Sequence, residues 1–550
     1  MKTWFKKGEH WIWFSASTVS ISLVLVFGLL AMITYKGLIH FWPHEVYEVS
    51  VKQPNGQLET VIGEWQDSKM LVVESDAPEA IHGKIDVPQH LIKTGNRDIL
   101  GIDFRWVSSL DLQGGFTTLS NNVMVVERFE YGNLYGHAVQ FSVDGQDIRE
   151  PAELLARLNE QVGKSADIRA EIRHIEKIEI GKLNAKIEGL RLEEKIQIAD
   201  KTLTTDSKAL LDSQRAEYEK QFTAYQGQTK VFYDQLKLLG ELTLRVSTGK
   251  EVVVPVVKMV HAWQPNNMTT TEKVGYFFNA MGNFLWDDPR EANTEGGVFP
   301  AIIGTVTMVL LMTLFVTPMG VIAAIYMREY AREGTVLRLV RISINNLAGV
   351  PSIVFGIFGL GFFVYILGAN VDELFYNYAL PSPTFGTPGL LWASLTMALL
   401  TLPVVIVSTE EGLSRIPRAL REGGLALGAT KAETIMRLVL PMAMPAIMTG
   451  LILAIARAAG EVAPLMLVGV VKLAPELPID MIAPFVHLDR KFMHLGFHIY
   501  DVGFQSPNIE ASQPLVYATS LLLVIIIVGL NLGAITIRNR LRERYKALDH

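Results

Sequence analysis

Arg457 and Glu461 stand four residues apart in an otherwise apolar run from Met444 to Val470. On a helix that spacing sets both side chains on one face, where they can pair. A charge at the centre of a bilayer costs at least about 2.5 kcal/mol, so both are expected to face a bundle interior. The planar donor fork of arginine suits an oxyanion, and a carboxylate one turn away can hold or gate that fork. The same two residues also suit a self-contained ion pair that only fixes helix packing. We favour the ion path, because packing can be achieved without ionised groups. Gly460 and Pro464 are expected to allow close helix approach and a kink. Pro318, and Pro351 with Ser352, are expected to break two other apolar runs similarly.

Other patterns carry less. The chain has no cysteine, which excludes disulfides, zinc-thiolate sites and cysteine nucleophiles. His40 and His44 have the spacing of two metal ligands on a helix, but they lie where an apolar segment ends and read as surface histidines. No metal or other cofactor is expected. The phosphate-loop pattern G-x-x-x-x-G-K-[ST] is absent, since Gly249-Lys250 is followed by Glu251. By that route the chain cannot hydrolyse ATP, and it is expected to be non-catalytic. A net charge of -6 over 550 residues gives no basic bias and no support for nucleic-acid binding.

The elements that must position these charges are membrane spans. Six segments are apolar over the roughly 20 residues needed to cross a bilayer. They run over about 11–35, 299–326, 347–367, 390–409, 444–470 and 515–537. The first reads as an anchor rather than a cleaved signal, because its apolar run is too long and no small-x-small site follows. Lys2, Lys6 and Lys7 precede it, and loops 327–346, 410–442 and 538–550 are rich in arginine. The short loops 369–388 and 472–513 carry only Lys472, Arg490 and Lys491. The positive-inside rule therefore predicts a multi-pass protein with both termini cytoplasmic and residues 36–294 outside.

That long insert has β-rich flanks. Val46–Val51 and Leu58–Ile62 flank Pro54-Asn55-Gly56, and Leu242–Val246 and Val252–Val257 flank Thr248-Gly249-Lys250. From about 152 to 240 the pattern changes. Ile180, Leu183, Ile187 and Leu190 follow 3-4-3 spacing, and Leu211, Tyr218, Tyr225, Phe232 and Leu239 recur every seven residues. An antiparallel coiled-coil hairpin reversing near Lys201–Ser207 is expected. It is either a docking arm for a periplasmic partner, or a spacer or a hairpin that only stabilises its own domain, and the latter pair of readings is favoured.

Loop 410–442 reads EEGLSRIPRALREGGLALGATKAETIMRLVLP. Leu413, Ile416, Leu420, Gly424 and Leu427 form one helical stripe, with Arg415, Arg418, Arg421 and Glu422 on a charged face. Gly428 can end that helix, and Thr430 with Glu433 forms a capping box that starts another. Pro441 and Pro445 are expected to close the second short helix at the membrane. A helix, a sharp break and a helix suit mechanical coupling to a soluble partner; the plainer reading is an amphipathic loop lying at the lipid interface.

Glu422, Gly428 and Pro441 match the spacing of the EAA loop, so the segment resembles that of ABC importer permeases. Gly423 and Gly424 stand where the family has two alanines. The stretches GVFPAIIGTVTMVLL, PMGVIAAIYMREY, NLAGVPSIVFGIFGLG and ARAAGEVAPLM are similar to PstA-type phosphate permeases, over about residues 296–540. TGNRDILGIDFRW at 94–106 also resembles the segment preceding that family's core. The insert has no counterpart in the compact pattern.

The resemblance implies a type I ABC importer permease fold: a membrane all-α protein with six transmembrane helices. Here it would carry a large periplasmic β-rich domain with a helical coiled-coil hairpin. The domains would be an anchor (1–35), the periplasmic insert (36–294), the permease domain (295–541) and a cytoplasmic tail (542–550). The implied function is ATP-driven import of inorganic phosphate across the bacterial inner membrane. The implied partners are an ATPase subunit seated on Glu422, Gly428, Thr430, Glu433 and Pro441, a second permease chain, and a periplasmic phosphate-binding protein. The alternatives are a molybdate or sulfate permease, and a membrane-anchored periplasmic sensor or adaptor.

Overall fold

In the computed structural model, residues 9–53, 56–74, 84–114, 123–506 and 509–546 are described. Lys2, Lys6, Lys7, Pro54 and Asn55 lie outside them. Two compact units form: residues 1–40, 298–479 and 486–550 make one, and 41–297 with 480–485 the other.

The first unit is helical. Among the described residues, six helices are long and apolar enough to cross a membrane: Trp11–Ile39, Phe299–Tyr330, Ser352–Phe375, Leu390–Ser414, Lys431–Gly460 and Ser512–Arg540. A core shared by the second to sixth spans includes Met308, Met312 and Val316 from the second and Phe355 from the third. Ala393, Met397 and Leu400 of the fourth, Leu451, Ala454, Ile455 and Ala458 of the fifth and Ala534 of the sixth also belong to it. Small residues let helix backbones approach, which is how helices associate in a solvent as apolar as themselves. The first span lies against the sixth, where a Cβ added at Gly37 would come within 3.0 Å of the Tyr517 carbonyl oxygen. Thr305, Thr307, Thr313 and Thr317 each donate to the carbonyl four residues back, so their hydroxyls are satisfied without water.

Three expectations about helix breaks need correction. Pro318 sits inside a helix that continues through Ile325, because neighbouring helices hold it in place. Pro441 and Pro445 close nothing: the helix that starts at Lys431 runs on to Gly460. A π-helical turn at Ile435–Val439 lies immediately before Pro441 and relieves the clash a proline ring makes with the preceding turn. The fifth span stops at Gly460 instead of reaching Val470; Glu461 is extended at φ -81 and ψ 136. A short turn at Leu465–Val468, a bridge from Val470 to Phe492 and a helix at Leu495–Phe504 lead to the sixth span.

The second unit contains two large antiparallel sheets and a two-stranded one, Pro289–Arg290 with Glu295–Gly296. The first is built from β1 (Val46–Lys52), β2 (Leu58–Glu74), β3 (Lys84–Lys93), β4 (Phe104–Ser108) and β5 (Leu112–Gln113), in the order β4-β3-β2-β1-β5. The second is built from β6 (Val123–Arg128), β7 (Asn133–Val143), β8 (Gln146–Ile148), β9 (Glu241–Arg245), β10 (Glu251–Pro255) and β11 (Met259–Trp263). Its order is β10-β9-β7-β6-β11, with β8 beside β7.

Between β8 and β9 stands an antiparallel helix pair. One arm is Pro151–Ala199 with a π-helical turn at His174–Glu179; the other is Thr205–Lys237. Glu194 pairs with Arg215 at 2.8 Å, Glu179 accepts from Tyr225 and Glu176 from Tyr233, so each step outward on one arm meets a step back on the other. Leu154, Leu158, Val162 and Leu236 root the arms in the second sheet against Phe141, Leu242 and Leu244. The covered stripe of the second arm runs Leu211, Arg215, Tyr218, Phe222, Tyr225, Thr229, Phe232, Leu236, Leu239. Its 4-3 alternation contains the seven-residue series and the second half that series leaves out.

Candidate functional site

Arg457 occupies the last turn of the fifth span, where a cation is favoured by the helix dipole. Glu461 follows just beyond the helix end. Arg457 Nε lies 3.6 Å from Glu461 Oε1, and both side chains are partly exposed. Among the described residues no group accepts a hydrogen bond from the arginine's terminal fork, so the cation is oriented by the carboxylate but its donors stay available. The close approach expected at Gly460 occurs instead at Pro464. A Cβ added at Gly356 of the third span would lie 2.7 Å from Pro464 Cα, whereas nothing lies within 4 Å of one added at Gly460.

At the opposite end of the fifth span lies the loop 410–442. The fourth span ends at Ser414, Pro417 starts a new helix, and Arg418–Ala426 follows. The expected stripe is therefore cut in two by Pro417. Leu413 and Ile416 are buried in the bundle with Val439, Ala443 and Ile447, but Leu420 is exposed and Leu427 is 91% exposed. Gly428 adopts φ +85, the left-handed region in which glycine alone is unstrained. Thr430 accepts from the Glu433 N–H at 3.3 Å, and Glu433 accepts from the Thr430 N–H at 2.9 Å, so the second helix starts on a complete capping box. Glu422 is exposed on the first helix, and Pro441 lies well inside the span that starts at Lys431. Gly424, Leu427, Gly428, Ala429, Glu433, Thr434, Arg437 and Leu438 line a shallow concavity between the two helices.

Sequence reasoning missed what anchors this loop. Arg421 is not on the charged outer face. It pairs with Glu329 at 2.8 Å and donates to the Leu413 and Ile416 carbonyls, each at 2.7 Å. Lys431 donates to the Glu329 carbonyl and sits over the Tyr330 ring. Arg341 pairs with Glu410 at 2.5 Å. The loop is thus clamped to the ends of the second and fourth spans. Met-Arg-Glu-Tyr at 327–330, an acid at a span terminus beside an arginine-rich loop, is the signal that could have found it. His40 and His44 stand apart from this, and among the described residues no group of three metal-binding side chains occurs.

A family model described as binding-protein-dependent transport system inner membrane component matches residues 316–546. The chain is 37% identical over 175 residues to phosphate transport system permease protein PstA 1 of Mycobacterium tuberculosis, covering 32% of this chain and 52% of that one. It is 30% identical over 239 residues to the probable phosphate transport system permease protein PstA of Methanocaldococcus jannaschii, covering 43% and 74%. The inward-facing MetNI methionine ABC transporter aligns with 44% of this chain and 94% of its own at 18% identity, with a TM-score of 0.31. The chain spans about half the length of the mycobacterial relatives it matches.

Proposed function

Because this chain belongs to the family of binding-protein-dependent transport system inner membrane components, we propose that it is the permease subunit of an ATP-driven phosphate importer. The observation that carries the reading is Arg457, a cation at the broken end of a span, oriented by Glu461 through Nε with its terminal fork uncommitted. Such a fork offers two parallel donors to an oxyanion. Broken helices whose ends line a passage are the usual way a membrane protein exposes polar groups to a substrate. Glu461 lies past the helix end, so it can swing with the 461–464 segment while Arg457 stays fixed on the span. Alternating access then exposes Arg457 to each side in turn, and Glu461 takes back the cation once the anion leaves.

The loop with Glu422, Gly428, Thr430, Glu433 and Pro441 is read as the seat of an ATPase subunit. Leu427, 91% exposed at the rim of the concavity, is open to an apolar partner and supports this reading. The clamp through Glu329 and Arg421 would carry the stroke into the second span. A second permease chain would complete the pore, and a binding protein would deliver the ion. The chain is placed in the inner membrane with both termini cytoplasmic and residues 36–294 periplasmic, on the distribution of arginine and lysine. The 4-3 burial of the helix pair supports a coiled-coil arm.

The test is uptake of labelled phosphate by vesicles carrying the whole transporter and no other phosphate importer. Arg457→Ala should abolish uptake while the complex still assembles. Full uptake by that variant removes Arg457 from the path, and uptake of sulfate or molybdate in place of phosphate reassigns the substrate.

A further inference from the structure

Two buried imidazoles between the fifth and sixth spans have no use in the mechanism above. His494 is 1% exposed and caps the helix Leu495–Phe504; His498 is 3% exposed and stands one turn further on the same face. The backbone around them is satisfied: the Leu495 N–H donates to Thr305 Oγ at 2.9 Å and the His498 N–H to the His494 carbonyl at 2.9 Å. The side chains are not. His494 Nδ1 accepts from the Gly496 N–H at 3.1 Å, so its proton is on Nε2, and that N–H has no acceptor. Neither nitrogen of His498 has a partner. Burial pushes both imidazoles down to about 4, so both are neutral at neutral pH.

A buried polar group left without a partner costs about 1–3 kcal/mol, so three unpartnered ring nitrogens within five residues point to something that completes them. The surroundings name its charge and place. The Lys472 ammonium lies 3.0 Å from Asp501 Oδ2, with Asp501 1% exposed and Lys472 41% exposed, and these two are the charged groups felt by His498. On the other side Val462, the residue after Glu461, lies so close that a Cβ added at Gly496 would be 2.8 Å from its side chain. The imidazoles thus stand between a solvent-facing ammonium and the end of the span that carries Arg457.

Resting on the phosphate-permease reading, we propose that His494 and His498, with Lys472 at the entrance, form an outer station for a partly protonated oxyanion on its way to Arg457. His494 Nε2–H donates to an ionised oxygen. Neutral His498 offers one donor and one acceptor, so it can also accept from a protonated oxygen, which phosphate has and sulfate lacks at neutral pH.

The experiment uses the complete transporter in vesicles and labelled inorganic phosphate, with half-saturation and maximal rate measured separately. Replacing an orphaned buried polar group by an apolar one of similar size is neutral or stabilising unless a ligand is its partner. His498→Leu should therefore leave the thermal midpoint of the complex unchanged or raised. It should raise the half-saturation concentration roughly tenfold or more, the worth of a hydrogen bond to a charged ligand, and keep most of the maximal rate. His498→Gln should recover part of the lost affinity, and His494→Phe should behave like the leucine variant. Unchanged half-saturation in His498→Leu and His494→Phe overturns the station and leaves these nitrogens to trapped water. If leucine prevents assembly, His498→Gln with wild-type half-saturation and His494→Phe with wild-type half-saturation overturn it equally. Absence of phosphate uptake by the unmodified transporter is a separate result, and it strikes the underlying function instead.

Discussion

Gly428 can be replaced without touching any neighbour, which makes it a clean lever on the break between the two short helices. Its φ is +85, and a Cβ added there meets nothing within 4 Å. The cost of a substitution is therefore conformational: about 1–3 kcal/mol for a non-glycine residue held in the left-handed region, highest for a β-branched one. If the ATPase seat requires the break, Gly428→Val converts that cost into roughly 5–150-fold weaker docking, at 1.4 kcal/mol per tenfold. The thermal midpoint of the isolated chain should change little, because the loop can relax when nothing is docked. Gly424 gives the contrasting control, since a Cβ there would lie 2.9 Å from Thr434 Cγ2. Gly424→Ala should disturb the helix contact, and Thr434→Ser should partly rescue it. Gly423→Ala, with open space around it, should gain about 1 kcal/mol of helix propensity and no defect. The assay is substrate-stimulated ATP hydrolysis in reconstituted complexes as the ATPase is titrated. Wild-type stimulation at limiting ATPase in Gly428→Val would refute the reasoning, because the break would then not be what the ATPase reads.

Three further outcomes follow from named contacts. Arg421→Ala leaves Glu329, 10% exposed, without its partner, and should cost about 3 kcal/mol of stability; in a double-mutant cycle Arg421 and Glu329 should couple by more than about 1 kcal/mol, and additive effects would dissolve the clamp. Burial, reinforced by the carboxylates of Glu127 and Glu291, pushes Glu295 from 4.5 up to about 6. Its folded pKa is the higher one, so the stability it contributes is full below pH 4.5 and is lost as pH rises through about 6, a difference of about 2 kcal/mol. Glu295→Gln should then raise the full chain's melting midpoint at pH 8 and leave it unchanged at pH 4, and equal shifts at both would contradict this. Reporter fusions at Lys201 and His550 should report opposite compartments, and a common one would overturn the proposed topology.

The spans were legible because apolar runs of bilayer length admit few alternatives. The helix pair was legible because Leu211, Tyr218, Tyr225 and Phe232 repeat every seven residues without a proline between them. What escaped was set by contacts between segments distant in sequence. Nothing local says that Arg421 turns inward, since its partner Glu329 lies 92 residues earlier. Apolarity alone also carried the fifth span past Gly460, whereas the backbone turns extended at Glu461 and Pro464 packs on Gly356 of another helix. Strands β3, β4, β6 and β7 were missed because their alternation is weak and their pairing is non-local. The loop's capping box and left-handed glycine, by contrast, are written in six adjacent residues, GATKAE, and stand in the structure where those residues require.

The most direct test of Arg457 as the anion's contact is the reversed pair, Arg457→Glu with Glu461→Arg, assayed by labelled phosphate uptake in the assembled transporter. A purely structural pair should tolerate the exchange, since the two charges still meet. An anion contact should not, because the exchange carries the cation off the rigid last turn of the span onto the extended segment beyond it. Loss of uptake with assembly intact is expected, with Arg457→Lys partly impaired because lysine lacks the planar fork. Full uptake by the reversed pair would contradict the anion contact.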